Sequence, residues 1–106
     1  IKHTFEVGCV KHSRTNGRMI RKVALCGGAG AFLLPRAVAS GADVFITGEV
    51  KYHDYFSYEN SILVAEIGHY ESEQYTKEIF YSIIREMFPS LSVSMTSVNT
   101  NPIKYL

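Results

Sequence analysis

Residues 41–54 read Gly-Ala-Asp-Val-Phe-Ile-Thr-Gly-Glu-Val-Lys-Tyr-His-Asp, and this stretch decides the fold. Its apolar run Val44–Thr47 predicts a buried strand, which a glycine ends at position 48. Two further apolar runs, Val23–Cys26 and residues 62–67, are also followed by glycine. Segments of helical length separate the three runs. This order predicts an α/β fold, with a mostly parallel or mixed sheet and helices on both faces.

The segments around these runs predict the helices. Residues 32–40 have helical spacing, with Pro35 tolerated in the first turn and Gly41 at the usual position after the helix end. Residues 51–60 form a short helical or loop connection. The strongest helix prediction covers residues 71–88, where apolar side chains recur every four residues until a proline stops the pattern.

The two ends of the chain are predicted to add strands. Residues 4–10 alternate loosely, and the turn sequence Asn16-Gly17 predicts a hairpin that joins this strand to a strand at residues 19–26. Residues 91–97 alternate apolar side chains with serine and threonine, which predicts a last strand with one solvent-exposed face.

Composition excludes several classes of protein. The chain has 106 residues, 46% of them hydrophobic, which suits one domain over residues 1–106. Its net charge of +1 predicts no basic surface for binding nucleic acid. The longest uncharged apolar run, residues 29–35, is too short to span a membrane. Cys9 and Cys26 lie in apolar stretches and are predicted to be buried reduced thiols, which suggests a cytoplasmic protein.

Three clusters that each contain glycine follow the predicted parallel strands, at the end of the sheet where ligands bind in α/β proteins. Gly28 and Gly30 belong to a glycine-rich turn that either binds an anion through its amides or only makes a tight bend. Glu49, His53 and Asp54 form either a site or a solvated connection.

The third cluster, residues 68–73, is the most informative because His69 and Glu73 are four residues apart. On a helix, an imidazole and a carboxylate at this spacing project from the same side and supply half of a zinc, iron or manganese site. The alternative is that the acidic residues only stabilise the helix start, with His69 as a cap. A closed site needs at least three ligands.

Four motifs, in order, resemble the carboxyl-terminal half of the Nif-three-like family, which is also known as GTP cyclohydrolase I type 2-like. They are Cys-Gly-Gly-Ala-Gly at residues 26–30, the stretch 41–54, Gly-His-Tyr-Glu-Ser-Glu at residues 68–73, and Val-Asn-Thr-Asn-Pro at residues 98–102. The resemblance covers residues 22–102. It implies one half of a two-domain fold whose amino-terminal half is absent here, an interpretation that also suits a first residue other than Met.

The resemblance implies a dinuclear metal centre between two similar halves, with His69 and Glu73 as the ligands from this half and a His-His pair and an aspartate from the other. Gly28, Gly30, Glu49, His53 and Asp54 would then contact the ligands or the substrate. Whole members are expected to form toroidal homo-oligomers. The resemblance implies a metal-dependent hydrolase acting on a nucleotide or similar small molecule; the alternative is a non-enzymatic metal-binding scaffold with a protein partner.

Overall fold

The computed structural model of the chain describes residues 1–15 and 17–106. The elements are α1 (Lys2–Phe5), β1 (Lys11–His12), β2 (Val23–Cys26), a 3₁₀ turn (Gly30–Leu33), α2 (Leu34–Ala39), β3 (Val44–Thr47), α3 (Tyr52–Tyr58), β4 (Leu63–Glu66), α4 (His69–Glu73) and α5 (Thr76–Met87). The chain divides into two compact units, Ile1–Glu73 and Gln74–Leu106. The sheet belongs to the first unit.

The strands of the described residues form one mixed sheet in the order β1-β4-β3-β2. β2, β3 and β4 are parallel, and β1 pairs antiparallel with β4 at the edge. Because the parallel strands run in register, Cys26, Thr47 and Glu66 end side by side at one edge of the sheet. The predicted α/β fold with a mixed sheet is confirmed.

β3 is the centre of two apolar cores because its side chains alternate between the two faces. Phe45 packs with Leu34 of α2 and Val64 of β4, and Tyr55 of α3 adjoins the same cluster. On the opposite face, Ile46 packs in a second cluster with residues from β4 and from the amino-terminal segment. Helices α2 and α3 therefore cover one face, and the amino-terminal segment with α1 covers the other.

The residues predicted to begin and end helix α2 have these positions in the structure. Pro35 lies in the first turn of α2, where its missing N–H leaves no gap in the hydrogen-bond ladder. Gly41 follows the helix end with φ of +72°, a left-handed conformation that glycine adopts without strain. The connection predicted at residues 51–60 is the helix α3.

The predicted amino-terminal strand at residues 4–10 is wrong. Lys2–Phe5 is a single helical turn that ends at Glu6, whose φ of +53° is left-handed. The apolar alternation has another cause, since Phe5, Val7 and Val10 fill the second core instead of lining a strand. The strand lies later, at Lys11–His12.

The predicted hairpin between the first two strands is also wrong, because β1 and β2 lie at opposite edges of the sheet. Asn16, at the proposed turn, lies outside the described residues. A buried serine extends the pairing of β1 instead: the Val64 N–H donates to Ser13 Oγ at 2.9 Å, and the Ser13 N–H donates to the Val64 carbonyl at 2.9 Å.

Two predictions for the second half of the chain need correction. The helix predicted over residues 71–88 is two helices, α4 and α5, separated at Gln74 and Tyr75, where Tyr75 has ψ of −7° and leaves the regular helical path. Residues 91–97 form no strand. An alternating pattern makes a strand only when a neighbouring strand completes its hydrogen bonds.

The cysteines are free thiols, but the prediction that both are buried is wrong, because Cys9 is exposed and Cys26 is half-buried at the end of β2. Among the described helices, none combines the length and the apolar character needed to cross a bilayer.

Candidate functional site

The carbonyl of Gly28 holds two of the strand ends together. It accepts hydrogen bonds from the Gly48 N–H at 3.0 Å, the Glu49 N–H at 3.1 Å and the Thr47 hydroxyl at 3.2 Å. The turn after β2 is therefore bonded directly to the turn after β3. This contact fixes the backbone from which the Glu49 side chain projects.

Ser72 joins the third strand end to the same turn. Its hydroxyl donates to the His69 carbonyl at 2.8 Å and accepts the Gly28 N–H at 2.8 Å. α4 is thereby held against the turn after β2. Sequence reasoning included Ser72 in the motif at residues 68–73 without giving it a role, and only the fold shows that it lies beside Gly28.

Two glycines make this close approach possible. Gly28 has φ of +60°, and a Cβ on it would strike the carboxylate of Glu73. A Cβ on Gly48 would lie 2.7 Å from the Gly28 carbonyl oxygen and 2.7 Å from Ser72 Oγ, closer than real Cβ contacts. The glycines at the strand ends therefore have a steric role that the sequence could not distinguish from a ligand-binding one.

Two amides of the glycine-rich turn are bonded within the protein. The Gly28 N–H is used by Ser72, and the Gly30 N–H donates to Thr47 Oγ1 at 3.1 Å and to the Gly28 carbonyl at 3.0 Å. These contacts favour the interpretation as a tight turn. A role for Gly28 and Gly30 in ligand binding stays a prediction.

His69 and Glu73 lie together, as their spacing indicates. His69 Nε2 is 3.3 Å from Glu73 Oε2, on the first and last residues of α4, and both side chains are about half exposed. A third side chain joins them: Glu49 Oε1 lies 2.8 Å from His69 Nδ1. The structure therefore brings together three of the residues singled out in the sequence.

The imidazole lies between two carboxylates, and its proton affinity reflects this. The hydrogen bond to Glu49 raises the pKa of His69 above its ordinary value. Burial opposes this rise, and the negative charges of Glu49 and Glu73 add to it.

The described residues do not form a complete set of metal ligands. Within residues 1–15 and 17–106, no group of three or more His, Cys, Asp or Glu side chains is arranged to hold a metal ion. Glu49 does not add to the pair because it contacts the opposite nitrogen of the ring. The donor chemistry of His69 and Glu73 fits zinc, iron or manganese, with two protein ligands.

A cavity of about 610 Å³ adjoins this cluster and shares Glu49 with it. Its charged lining includes Lys51, Asp54 and Glu66, and Phe32 and three small or branched apolar residues complete it. The predicted site residue Asp54 is therefore near Glu49. His53 is not part of the cavity lining and instead contacts the ring of Tyr52 on α3.

Glu66 is a buried carboxylate that sequence reasoning missed. It ends β4 and is 7% exposed, accepts a hydrogen bond from the Tyr55 hydroxyl at 2.9 Å, and is paired with Lys11. Burial and this hydrogen bond raise the pKa of Tyr55, so its hydroxyl remains a donor. The sequence feature that could have identified Glu66 is a glutamate inside the apolar run at residues 62–67.

The fold and the site define a class of protein: an α/β domain with a mixed sheet, whose polar side chains gather where three parallel strands end. Residues 1–102 match the family Duf34/NIF3 (NGG1p interacting factor 3). The chain belongs to this family.

Relatives and solved structures agree with this assignment. The chain is 31% identical over 111 residues to the "GTP cyclohydrolase 1 type 2 homolog" of Staphylococcus aureus (strain COL), covering all of this chain and 30% of that protein. The crystal structure of Staphylococcus aureus protein SA1388 matches with a TM-score of 0.81 and 26% identity, covering 99% of this chain and 36% of that one. A Bacillus cereus protein related to NIF3 has the same fold, with a TM-score of 0.78, 21% identity and coverage of 99% and 30%. The chain thus spans about a third of the length of these proteins.

Proposed function

We propose that the chain forms one wall of a metal-dependent hydrolase site, with His69 and Glu73 as ligands of a divalent zinc, iron or manganese ion. The observation that carries this proposal is the 3.3 Å separation of His69 Nε2 and Glu73 Oε2. Two atoms that each lie about 2.1 Å from a tetrahedral metal are about 3.4 Å apart. The pair is thus spaced like ligands of one ion.

The remaining ligands are proposed to come from outside these 106 residues. The relatives named GTP cyclohydrolase 1 type 2 homolog are about three times longer than the matched segment. We assign the missing ligands, and a second metal ion, to the other half of a two-domain protein of this length that works as a cytoplasmic homo-oligomer.

The substrate class is a nucleotide or a similar small molecule. The names of the staphylococcal relatives point to GTP. The cavity beside Glu49 has a volume typical of small-molecule sites, and Lys51 provides a cation on its wall. A small substrate in this cavity would lie next to the proposed metal.

A bound divalent metal supplies an activated water for hydrolysis. The protein's part is positioning: Ser72 and the Gly28 turn hold α4, and α4 presents His69 and Glu73 on the same side. Glu73 contributes negative charge that favours a cation at this position.

The test is turnover in a protein of complete length. A chimaera in which this chain replaces the matched segment of the staphylococcal relative is assayed with GTP and a nucleotide panel, with and without added metal. Metal-dependent turnover that is lost in the His69→Ala form, with folding unchanged by circular dichroism, supports the proposal. Equal turnover in both forms rejects it.

A second candidate function is a non-enzymatic scaffold that binds protein, and the exposed apolar face of α5 favours contact with another copy of this chain. Ile79, Phe80, Ile83 and Met87 recur on one side of this helix and are each at least 45% exposed. Such a stripe is typical of a contact surface.

Sedimentation velocity tests this candidate through self-association of the chain. Association that disappears in Ile83→Glu, but not in Ser82→Glu on another side of the same helix, supports a contact surface. A wild-type chain that stays monomeric at its highest soluble concentration counts against self-association through this face.

A further inference from the structure

His69 contacts a different carboxylate with each of its ring nitrogens. Nδ1 lies 2.8 Å from Glu49 Oε1, and Nε2 lies 3.3 Å from Glu73 Oε2. The two contacts are unequal. Hydrogen bonds from N–H to oxygen fall within about 2.7 to 3.2 Å, so the first contact has the length of a good hydrogen bond and the second lies just beyond this range.

The unequal contacts assign different roles to the two carboxylates. A carboxylate accepts hydrogen bonds and does not donate, so the Glu49 contact requires a proton on Nδ1. A neutral imidazole carries one proton, and its lone pair is then on Nε2, on the side of Glu73.

We propose that Glu49 is a positioning residue for His69: it accepts the Nδ1–H, fixes the ring, and leaves Nε2 and Glu73 to bind the metal. This inference rests on the proposed function. A carboxylate that holds a metal-binding histidine through its second nitrogen orients the ring and increases its basicity as a ligand. Glu49 itself is not a ligand of that ion.

Backbone hydrogen bonds fix the segment that carries Glu49. Its N–H and that of Gly48 both donate to the Gly28 carbonyl, at 3.1 and 3.0 Å. The Gly28 N–H donates to the Ser72 hydroxyl, which in turn donates to the His69 carbonyl. The backbones that carry Glu49 and His69 are therefore linked through Gly28.

The first test is the tautomer of His69, which requires no metal. Nitrogen chemical shifts of the ring are measured by NMR at a pH at which the imidazole is neutral. The proton should lie on Nδ1 in the wild-type chain and in Glu49→Gln, whose amide oxygen still accepts, and should move toward Nε2 in Glu49→Ala. A wild-type ring protonated on Nε2 overturns the inference.

The second test is the affinity of the 106-residue chain for Zn²⁺, measured by titration. Glu49→Ala is expected to weaken binding about 10- to 100-fold, the range found for such supporting carboxylates. Glu49→Gln should retain most of the affinity. Glu59→Gln, which removes one exposed carboxylate just after the carboxyl-terminal end of α3, controls for the loss of negative charge.

The outcomes separate this inference from the proposed function. If Glu49→Gln binds Zn²⁺ as weakly as Glu49→Ala, Glu49 acts by charge or as a ligand, and the positioning role is wrong. Unchanged binding in Glu49→Ala also rejects the positioning role, while it leaves the proposed metal site intact. If His69→Ala does not alter Zn²⁺ binding, the proposed metal site itself fails.

Discussion

Phe45 of β3 and Phe80 of α5 are the same residue type in the two compact units, yet Phe45 is 1% exposed and Phe80 is 60% exposed. Both positions belong to apolar patterns that are clear in the sequence. The strand pattern is apolar on both faces, so the strand must lie in the centre of the sheet. The helix pattern indicates only that one side of the helix is apolar and packs against another surface. Periodicity therefore predicts a helix or a strand, but it does not identify the residues that pack against its apolar side.

The largest effect should come from truncating these two rings. Phe45→Ala removes a buried ring from the core and is expected to lower the free energy of unfolding by about 3 to 5 kcal/mol. Phe80→Ala should change it by less than about 1 kcal/mol, since its ring remains largely in solvent. Urea denaturation measures both, and equal losses would contradict the difference in burial.

A smaller loss is expected where the strand ends meet. Gly48→Ala places a Cβ 2.7 Å from the Gly28 carbonyl oxygen, and backbone must shift to relieve the contact. Overpacking of this kind costs about 1 to 3 kcal/mol. Gly8→Ala is the control, because a Cβ at Gly8 meets nothing within 4 Å. If the two variants unfold at the same urea concentration, the close packing at Gly48 is not present in solution.

Removing one hydroxyl should have a still smaller effect. Ser72→Ala leaves the Gly28 N–H without its acceptor and is expected to cost about 1 kcal/mol, the usual contribution of a hydrogen bond. Ser82→Ala, on the exposed surface of α5, should be near neutral. Amide hydrogen exchange at Gly28 gives a local measure: exchange should accelerate in Ser72→Ala alone, and unchanged protection would show that the hydroxyl does not hold the turn.

The smallest effect concerns acid stability. Asp43 Oδ2 accepts the N–H groups of Arg21 and Lys22, each at 2.8 Å, and these hydrogen bonds lower the pKa of Asp43. A carboxylate with a lowered folded-state pKa stabilises the fold above its unfolded-state pKa of about 3.9, and this stability is lost as the pH falls through the folded-state pKa.

Asp43→Asn should therefore make the free energy of unfolding less dependent on pH below about pH 4. If the free energy of unfolding of Asp43→Asn depends on pH below about pH 4 as strongly as that of the wild-type chain, these two hydrogen bonds do not lower the pKa of Asp43.

Local patterns predicted much of the first unit. The strands β2, β3 and β4, the first turn of α2 and the left-handed Gly41 follow from short apolar runs and from backbone chemistry. The pattern failed where apolar residues serve another element, as at Phe5 and Val7, which fill a core without forming a strand. Pairing of β1 with β4 depends on contacts more than 50 residues apart, which periodicity does not contain.

The candidate site was predictable only in part. The i, i+4 spacing placed His69 and Glu73 together, because a helix brings such residues to one side. Glu49 lies 20 residues from His69, and its contact with Nδ1 depends on how two strand ends meet. Glu66 and Ser72 gain their partners in the same way, through the fold.

Titration of the chain with Zn²⁺, in the wild-type, His69→Ala and Glu73→Ala forms, tests the central claim most directly. A site with two protein ligands should bind with a dissociation constant weaker than about 1 µM, roughly −8 kcal/mol, and either substitution should abolish the binding. Tighter binding that disappears in Glu73→Ala would reveal further ligands within the chain. Binding that survives both substitutions would show that His69 and Glu73 do not hold the metal.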